Sequence, residues 1–253
     1  MQNISDYKMV SLIPARGGSN RIPRKNIKMM AGKPMLAWSI EASLNSKYID
    51  RTFVSTEDPE VKAIALQYGA EVVDRPAKYA TDSLPLSNRD YEGAGLLWHF
   101  RESLFDLGYT PDYLSFMYPT SPLRTSQQID EAFELMIERN CKRIMSAYQM
   151  PPEPDIYYIM DKRSRAELIF GYPPPKEFYL KTFKVELQEP RYLGTADILI
   201  MEWININANT SLNYGDFTLY IMDKADVVDV DTPRDFAMAE YLLKERLGKE
   251  GGE

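Results

Sequence analysis

Only one cysteine and one histidine occur among the 253 residues. Cys141 therefore has no partner for an internal disulfide, and with His99 it cannot furnish a Cys/His zinc cluster. The same scarcity excludes most chemistry that relies on an imidazole base or a thiolate. Both residues read as structural: Cys141 lies in a Lys/Arg-flanked segment and His99 in an aromatic-rich helix. No stretch approaches the ~18 apolar residues of a membrane span. The N-terminal MQNISDYKMVSLIPARGG holds a short apolar stretch that ends at a proline, unlike a secretory leader. Nor is there an excess of positive charge. The 37 acids against 30 bases leave −7, which disfavours broad binding to nucleic acid or anionic membrane. A cytoplasmic protein is expected, with neither of these as partner.

What is present suits a folded α/β chain. Hydrophobic residues make up 44%, charged residues 26% and aromatics 12%, enough for a core without disulfide or metal staples. Met9-Val10-Ser11-Leu12-Ile13 reads as a buried strand ending at Pro14, and a basic, glycine-containing loop runs from Ala15 to Lys28. Gly32-Lys33-Pro34 signals a helix over Met35–Ala42. Strands are expected at Thr52–Thr56, Glu71–Val73, Tyr113–Met117 and Arg143–Ala147. Helices are expected at Pro59–Tyr68, Asn88–Phe105 and Gln128–Arg139. This alternation predicts a parallel sheet with helices on both faces.

From Gln149 to Tyr192 the rhythm breaks. Pro151, Pro152, Pro154 and Pro173-Pro174-Pro175 forbid regular helix and central strand. Aromatic-rich edge strands are expected at Tyr157–Met160 and Phe178–Val185. The segment 149–192 reads as an excursion whose aromatic surface suits a dimer contact, or as a flap with a small core of its own. Residues 1–148 and 193–253 would then form the core. Strands resume at Ile198–Asn205 and Thr218–Met222. The last helix starts at Thr232-Pro233-Arg234-Asp235, with Thr as N-cap and Pro at N1, and runs to about Leu247.

Ligands of such sheets sit beyond the carboxyl ends of the strands. Here those ends are Pro14-Ala15-Arg16, Ser55-Thr56-Glu57, Tyr118-Pro119-Thr120 and Asp229-Val230-Asp231, which the topology gathers at one rim. The loop Arg16-Gly17-Gly18-Ser19-Asn20-Arg21-Ile22-Pro23-Arg24-Lys25-Asn26 carries four cations and two adjacent glycines. Glycines let backbone N–H groups approach an anion that Arg and Lys neutralise, a combination a triphosphate needs. A merely solvated basic loop is the alternative. Neither the P-loop nor the dinucleotide glycine pattern is present. In an extended Asp229-Val230-Asp231, residues two apart point the same way, so both carboxylates can face one Mg²⁺; an ordinary aspartate-rich turn is the alternative. Pro119-Thr120-Ser121-Pro122-Leu123-Arg124 offers hydroxyls and an arginine to a sugar or carboxylate, or to the cap of the next helix. Arg75-Pro76, followed by Thr81-Asp82-Ser83, is a further polar strand-end loop.

Several of these segments carry a family resemblance. Ile13-Pro14-Ala15-Arg16-Gly17-Gly18-Ser19, Ile22-Pro23-Arg24-Lys25-Asn26-Ile27, Gly32-Lys33-Pro34, Val54-Ser55-Thr56 and Arg75-Pro76 come first. Pro119-Thr120-Ser121-Pro122-Leu123-Arg124 and Asp229-Val230-Asp231-Thr232-Pro233-Arg234-Asp235-Phe236 follow. In this order they resemble the motifs of acylneuraminate cytidylyltransferases (CMP-sialic acid synthetases). The resemblance spans nearly the whole chain and is weakest across 149–215.

It implies a Rossmann-like, mostly parallel sheet of the nucleotide-diphospho-sugar transferase type, a protruding dimerisation arm and a homodimer. It also implies a reaction: CTP and the anomeric hydroxyl of an acidic sugar give a CMP-sugar and pyrophosphate. By position, Arg16 and Lys25 would hold the triphosphate and stabilise charge at the α-phosphate, within a nucleotide-binding loop that includes Gly17, Gly18, Ser19, Asn20 and Arg21. Pro14, Ala15, Asn26, Arg75 and Ser83 would frame the cytidine. Tyr118, Thr120, Ser121 and Arg124 would lie at the acceptor. Asp229 and Asp231 would hold Mg²⁺, and Asp231 would help to deprotonate the attacking hydroxyl. Such a transfer needs positioning and charge neutralisation rather than histidine or cysteine.

Three departures from the family pattern stand out. Asn20 replaces the usual Lys, so that one phosphate contact is either missing or supplied by Arg21. Tyr118 replaces the usual Gln. Thr195-Ala196-Asp197-Ile198-Leu199-Ile200 replaces Asn-Gly-Ala-Ile-Tyr-Ile. The last two fall in the implied acceptor pocket, where a phenol in place of an amide changes both donors and shape. A nonulosonic acid other than sialic acid fits that change; a sugar phosphate or phosphonate acceptor, or a weakly active nucleotide-binding homologue, are the alternatives.

Overall fold

The computed structural model describes residues 3–80, 95–150, 157–160, 166–169, 192–206 and 218–250. Strand β1 (Met9–Pro14) leads into a short hairpin, β2 (Met29–Met30) and β3 (Lys33–Pro34), and then α1 (Met35–Leu44). β4 (Ile49–Thr56), α2 (Pro59–Gln67), β5 (Glu71–Asp74), α3 (Leu96–Asp106), β6 (Tyr113–Phe116) and α4 (Ser126–Glu138) continue the alternation. β7 (Arg143–Gln149), β8 (Tyr157–Met160), β9 (Ala166–Ile169), β10 (Tyr192–Glu202), β11 (Thr218–Ile221) and α5 (Pro233–Glu250) complete the described elements. By its contacts the chain divides into two compact units, Met1–Ala147 with Gly194–Glu253, and Tyr148–Leu193. In the second, β8 and β9 pair antiparallel, with Tyr157 opposite Ile169.

Seven strands form one sheet in the order β11-β7-β10-β6-β1-β4-β5. β1 is parallel to β4 and β6, β4 to β5, and β11 to β7. β10 alone among these pairings runs antiparallel, against β6. Alternation along β1 decides the layers: Met9 and Ile13 pack with α1, α2 and α4, whereas Val10 and Leu12 pack with α3. Phe53 and Phe100 meet edge-on at 5.4 Å in the α3 layer, and each such buried ring contributes roughly 1.5–3 kcal/mol.

A third apolar cluster matters more for function. It joins Ile22 of the basic loop, Met30 of the hairpin, Leu123 after β6, Val230, and Phe236 and Leu243 of α5. The apolar members of separate polar motifs are thus buried together, which leaves their polar neighbours on a common surface.

Helix starts follow the local sequence. Asp58 caps α2, accepting from Glu60 N and Val61 N at 3.0 Å each, with Pro59 as the first helical residue. Thr232 and Asp235 exchange backbone-to-side-chain bonds at the start of α5. That helix runs to Glu250, beyond the expected Leu247. The β2–β3 hairpin was not anticipated; its turn places Ala31 at φ 47° and Gly32 at φ 93°, the left-handed pair that closes a two-residue hairpin. The helix expected over Asn88–Phe105 begins only at Leu96, because Gly95 is an extended N-cap (φ −73°, ψ 171°) rather than a helical residue. The strand expected at Phe178–Val185 lies outside the described residues. Among the described residues, no helix is long and apolar enough to cross a membrane.

Candidate active site

Asp231 reaches the basic loop from the far end of the chain. Its carboxylate accepts from Arg21 Nη1 at 2.9 Å and lies 3.3 Å from Lys25 Nζ, a residue 206 positions away. Lys25 Nζ also donates to the Val230 carbonyl at 2.6 Å. Arg16, Ser19, Asn20, Arg21, Lys25 and Asp231 line a cavity of about 350 Å³. The placement has a local cause. Val230 is fully buried in the third cluster, so the flanking Asp229 and Asp231 turn outward together. Val230 N donates to the Thr120 carbonyl at 2.8 Å, tying the acidic segment to the loop after β6. The Lys25 side chain is 13% exposed and that of Asp231 52%: a held cation beside a reachable carboxylate.

The loop itself is built on neighbouring strand ends. Ala15 N donates to the Ser55 carbonyl at 3.0 Å, extending the β1–β4 pairing past Pro14. Asn26 is buried; its Nδ2 donates to the Arg16 carbonyl at 2.9 Å, and its Oδ1 has no protein partner. Gly17 N donates to Glu57 Oε1 at 2.7 Å. Arg75 is buried below, its backbone N on the Thr56 carbonyl at 2.8 Å and its guanidinium on Ser55. Burial pulls Arg75 down to about 10, so it stays charged at neutral pH. Gly18 is exposed. Ser83 lies outside the described residues.

Arg24 behaves differently from the other loop cations. It has φ 55°, and its fork grips Asp58 at 2.5 and 3.0 Å while Nη2 also reaches Glu60 at 2.8 Å. This bidentate, charge-assisted pair holds the Asp58 carboxyl below the usual carboxylate range. Three of the four cations therefore line the cavity, and the fourth anchors the loop to the start of α2.

Residues 10–86 match the family model described as cytidylyltransferase. A pseudaminic acid cytidylyltransferase of Campylobacter jejuni is 28% identical over 250 residues, covering 94% of this chain and 97% of the relative. A CMP-N,N'-diacetyllegionaminic acid synthase of Legionella pneumophila is 30% identical over 241 residues, again covering 94% and 97%. The chain belongs to the acylneuraminate cytidylyltransferase family. It is a nucleotidyltransferase. A solved CMP:2-keto-3-deoxy-manno-octonic acid synthetase complexed with CTP shares the fold, with a TM-score of 0.62 at 17% identity over 94% of this chain and 99% of that one.

In this cytidylyltransferase the loop after β6 has two layers. Tyr118 and Thr120 stand half-buried at the rim. The Tyr118 ring packs edge-on against Phe116 at 5.0 Å; burial and the nearby Asp229 charge push its phenol up to about 12. Ser121 and Arg124 are each 3% exposed and stand behind the rim rather than in the cavity lining. Arg124 donates to the carbonyls of Asp197 and Tyr118, at 2.5 and 3.1 Å, and to Ser39 Oγ at 2.8 Å. Among the described residues no group of three or more His, Cys, Asp or Glu forms a self-sufficient metal site. Of the Asp229 and Asp231 pair, Asp231 lines the cavity, whereas Asp229 is exposed outside that lining and near enough to Tyr118 to act on its phenol. Cys141 and His99 are outside the cavity lining, in keeping with structural roles.

Sequence reasoning passed over Glu57 and Asp58 as partners of the loop. The available signal was an acidic pair at a strand end, just before a helix-starting proline. Their closeness constrains Gly17, where an added Cβ would lie 2.2 Å from Asp58 Oδ2. Gly17→Ala should therefore displace Asp58, loosen the Arg24 clamp and weaken CTP binding about tenfold. Calorimetric titration with CTP checks this, and unchanged affinity would show that the loop yields without consequence.

Proposed function

We propose that this enzyme transfers the cytidylyl group of CTP to the anomeric hydroxyl of a nonulosonic acid and releases pyrophosphate. The observation that carries the reading is the meeting of Arg21 and Lys25 with Asp231 at one cavity of about 350 Å³, within the size range of small-molecule sites. Arg16, Arg21 and Lys25, with Gly17, Gly18, Ser19 and Asn20, take the triphosphate. Pro14, Ala15, Asn26, Arg75 and Ser83 shape the nucleoside side. Tyr118 and Thr120 flank the acceptor, with Ser121 and Arg124 behind them.

Asp229 and Asp231 are assigned to Mg²⁺, which when bound offsets the charge of the phosphate oxygens. The acceptor oxygen attacks the α-phosphorus, the bond to the α–β bridging oxygen breaks, and pyrophosphate leaves with that oxygen. Lys25 and Arg16 meet the charge that develops on the α-phosphoryl oxygens and leaving group, from positions fixed in advance. The hydroxyl proton passes to a carboxylate oxygen of Asp231, the acidic member of the cavity lining.

The acceptor is sialic acid or a related nonulosonic acid, and Tyr118 in place of Gln favours one whose hydrogen-bonding groups differ from those of sialic acid. The proline- and aromatic-rich segment 149–192 is assigned as the arm of a homodimer. A cytoplasmic setting, where nucleoside triphosphates are available, completes the proposal. The test is a thermal-shift screen of nucleoside triphosphates with Mg²⁺, followed by pyrophosphate release over a panel of nonulosonic acids. CTP should stabilise most, and at least one acid should turn over. No CTP-induced shift together with no turnover on any acid would end the reading.

A further inference from the structure

We infer that the buried Arg124 and Asp197 pair positions the acceptor side of the cleft, separately from the Arg24–Asp58 clamp that positions its nucleotide side. The inference rests on the functional reading above, since it assumes that the Tyr118 rim faces the acceptor.

Three observations support it. First, one guanidinium joins three elements: Arg124 holds the Asp197 carbonyl on β10, Ser39 Oγ on α1 and the Tyr118 carbonyl at the rim. Two residues beyond Tyr118, the Thr120 carbonyl receives Val230 N, so the gripped loop also seats the acidic segment. Second, the pair is poorly suited to packing alone. Arg124 is 3% and Asp197 2% exposed, yet Arg124 Nε and Asp197 Oδ1 are buried without hydrogen-bond partners. Burial raises the Asp197 carboxyl, and the Thr195 hydroxyl, the Arg124 charge and the Ser121 hydroxyl only partly offset this. An apolar pair of similar volume would fill such a space with less desolvation; what it lacks is a fork that fixes three acceptors at once. Third, the two clamps share no residue. Arg24 engages Asp58 and Glu60, none of which contacts Arg124 or Asp197 in the bonds above.

Arg124 is thus a positioning residue that acts through the Tyr118 backbone, with Asp197 as its buried counter-charge. Lysine at 124 would keep the charge but replace a planar fork with a point donor. Asparagine at 197 would keep shape and backbone while removing the charge. The experiment compares Arg124→Lys, Asp197→Asn, their double variant and Arg24→Lys for thermal stability, CTP affinity, and KM and kcat for the acid that the wild type turns over. For Arg124→Lys we expect CTP affinity within about twofold of wild type and an acceptor KM raised about tenfold or more. Asp197→Asn should shift the same parameter by less, and the double variant by less than the product of the two singles. Arg24→Lys should do the reverse, weakening CTP and sparing the acceptor KM.

A folded Arg124→Lys with an unchanged acceptor KM overturns the inference, as does a parallel loss of CTP affinity, which marks a general scaffold role. Should Arg124→Lys fail to fold, the isosteric Asp197→Asn decides by the same split. A wild-type chain that neither binds CTP nor turns over any acid sinks the functional reading and this inference together. A wild-type chain that turns over beside variants without the split sinks the inference alone.

Discussion

Replacing Lys25 by alanine is expected to lower kcat on the order of a hundredfold, the scale seen when a preorganised transition-state donor is lost. Lys25 is the most enclosed of the three residues in the charge cluster: its side chain is 13% exposed, against 66% for Arg21 and 52% for Asp231. Two oxygens already fix its ammonium, the Val230 carbonyl and an Asp231 carboxylate. A charge held in this way needs little reorganisation as the α-phosphoryl group gains charge. Arg21 is too exposed to take its place at comparable strength, because water screens its field. The effect should fall more on kcat than on CTP affinity, since Arg16 and Arg21 still meet the triphosphate. Pyrophosphate release at saturating CTP and acceptor measures the first, and calorimetry the second. Turnover close to wild type would take Lys25 out of the chemistry.

Asp231→Asn should be harsher, with turnover down on the order of a thousandfold and the Mg²⁺ response lost. A contrary sign is expected when metal is withheld. Asp231 pairs with Arg21 and Lys25, so in EDTA its carboxylate competes with phosphate for both cations. The asparagine variant should then bind CTP more tightly than wild type, although it is inactive. Only a group that both neutralises the cations and serves the reaction predicts these opposite shifts. A variant with normal Mg²⁺ titration and turnover would exclude it.

The alternation of β1, β4, β5, β6 and β7 with α1 to α4 was legible because each of these elements carries its own period, and the pleat of β1 even assigns Met9 and Val10 to opposite layers. The antiparallel course of β10 was not legible. Strand direction is a property of the connection, and the preceding prolines report only that regular structure stops. The two-residue strands of the hairpin are too short for any period. At the site, Asp229-Val230-Asp231 was readable from alternation alone, and the structure places Val230 inward. The cations of the loop could be counted but not sorted. Arg24 differs from Lys25 only through a partner 34 residues away and a left-handed backbone, neither of which residue type reveals. Arg124 misled for a related reason: an arginine beside hydroxyls looks like a ligand group until burial shows which oxygens it already holds.

The partly neutralised cleft also bears on kinetics. A polyanion approaching a protein of net charge −7 meets at the entrance a patch of Arg16, Arg21 and Lys25 in which the single Asp231 carboxylate offsets only part of the positive charge. The patch attracts while the molecule as a whole repels, so the two long-range effects oppose each other and the association rate of nucleotide should change little between dilute and physiological salt. The cations act at short range once the carboxylate has been drawn away. Selectivity between tri- and monophosphates should accordingly be read in dissociation rates, as longer residence rather than faster arrival.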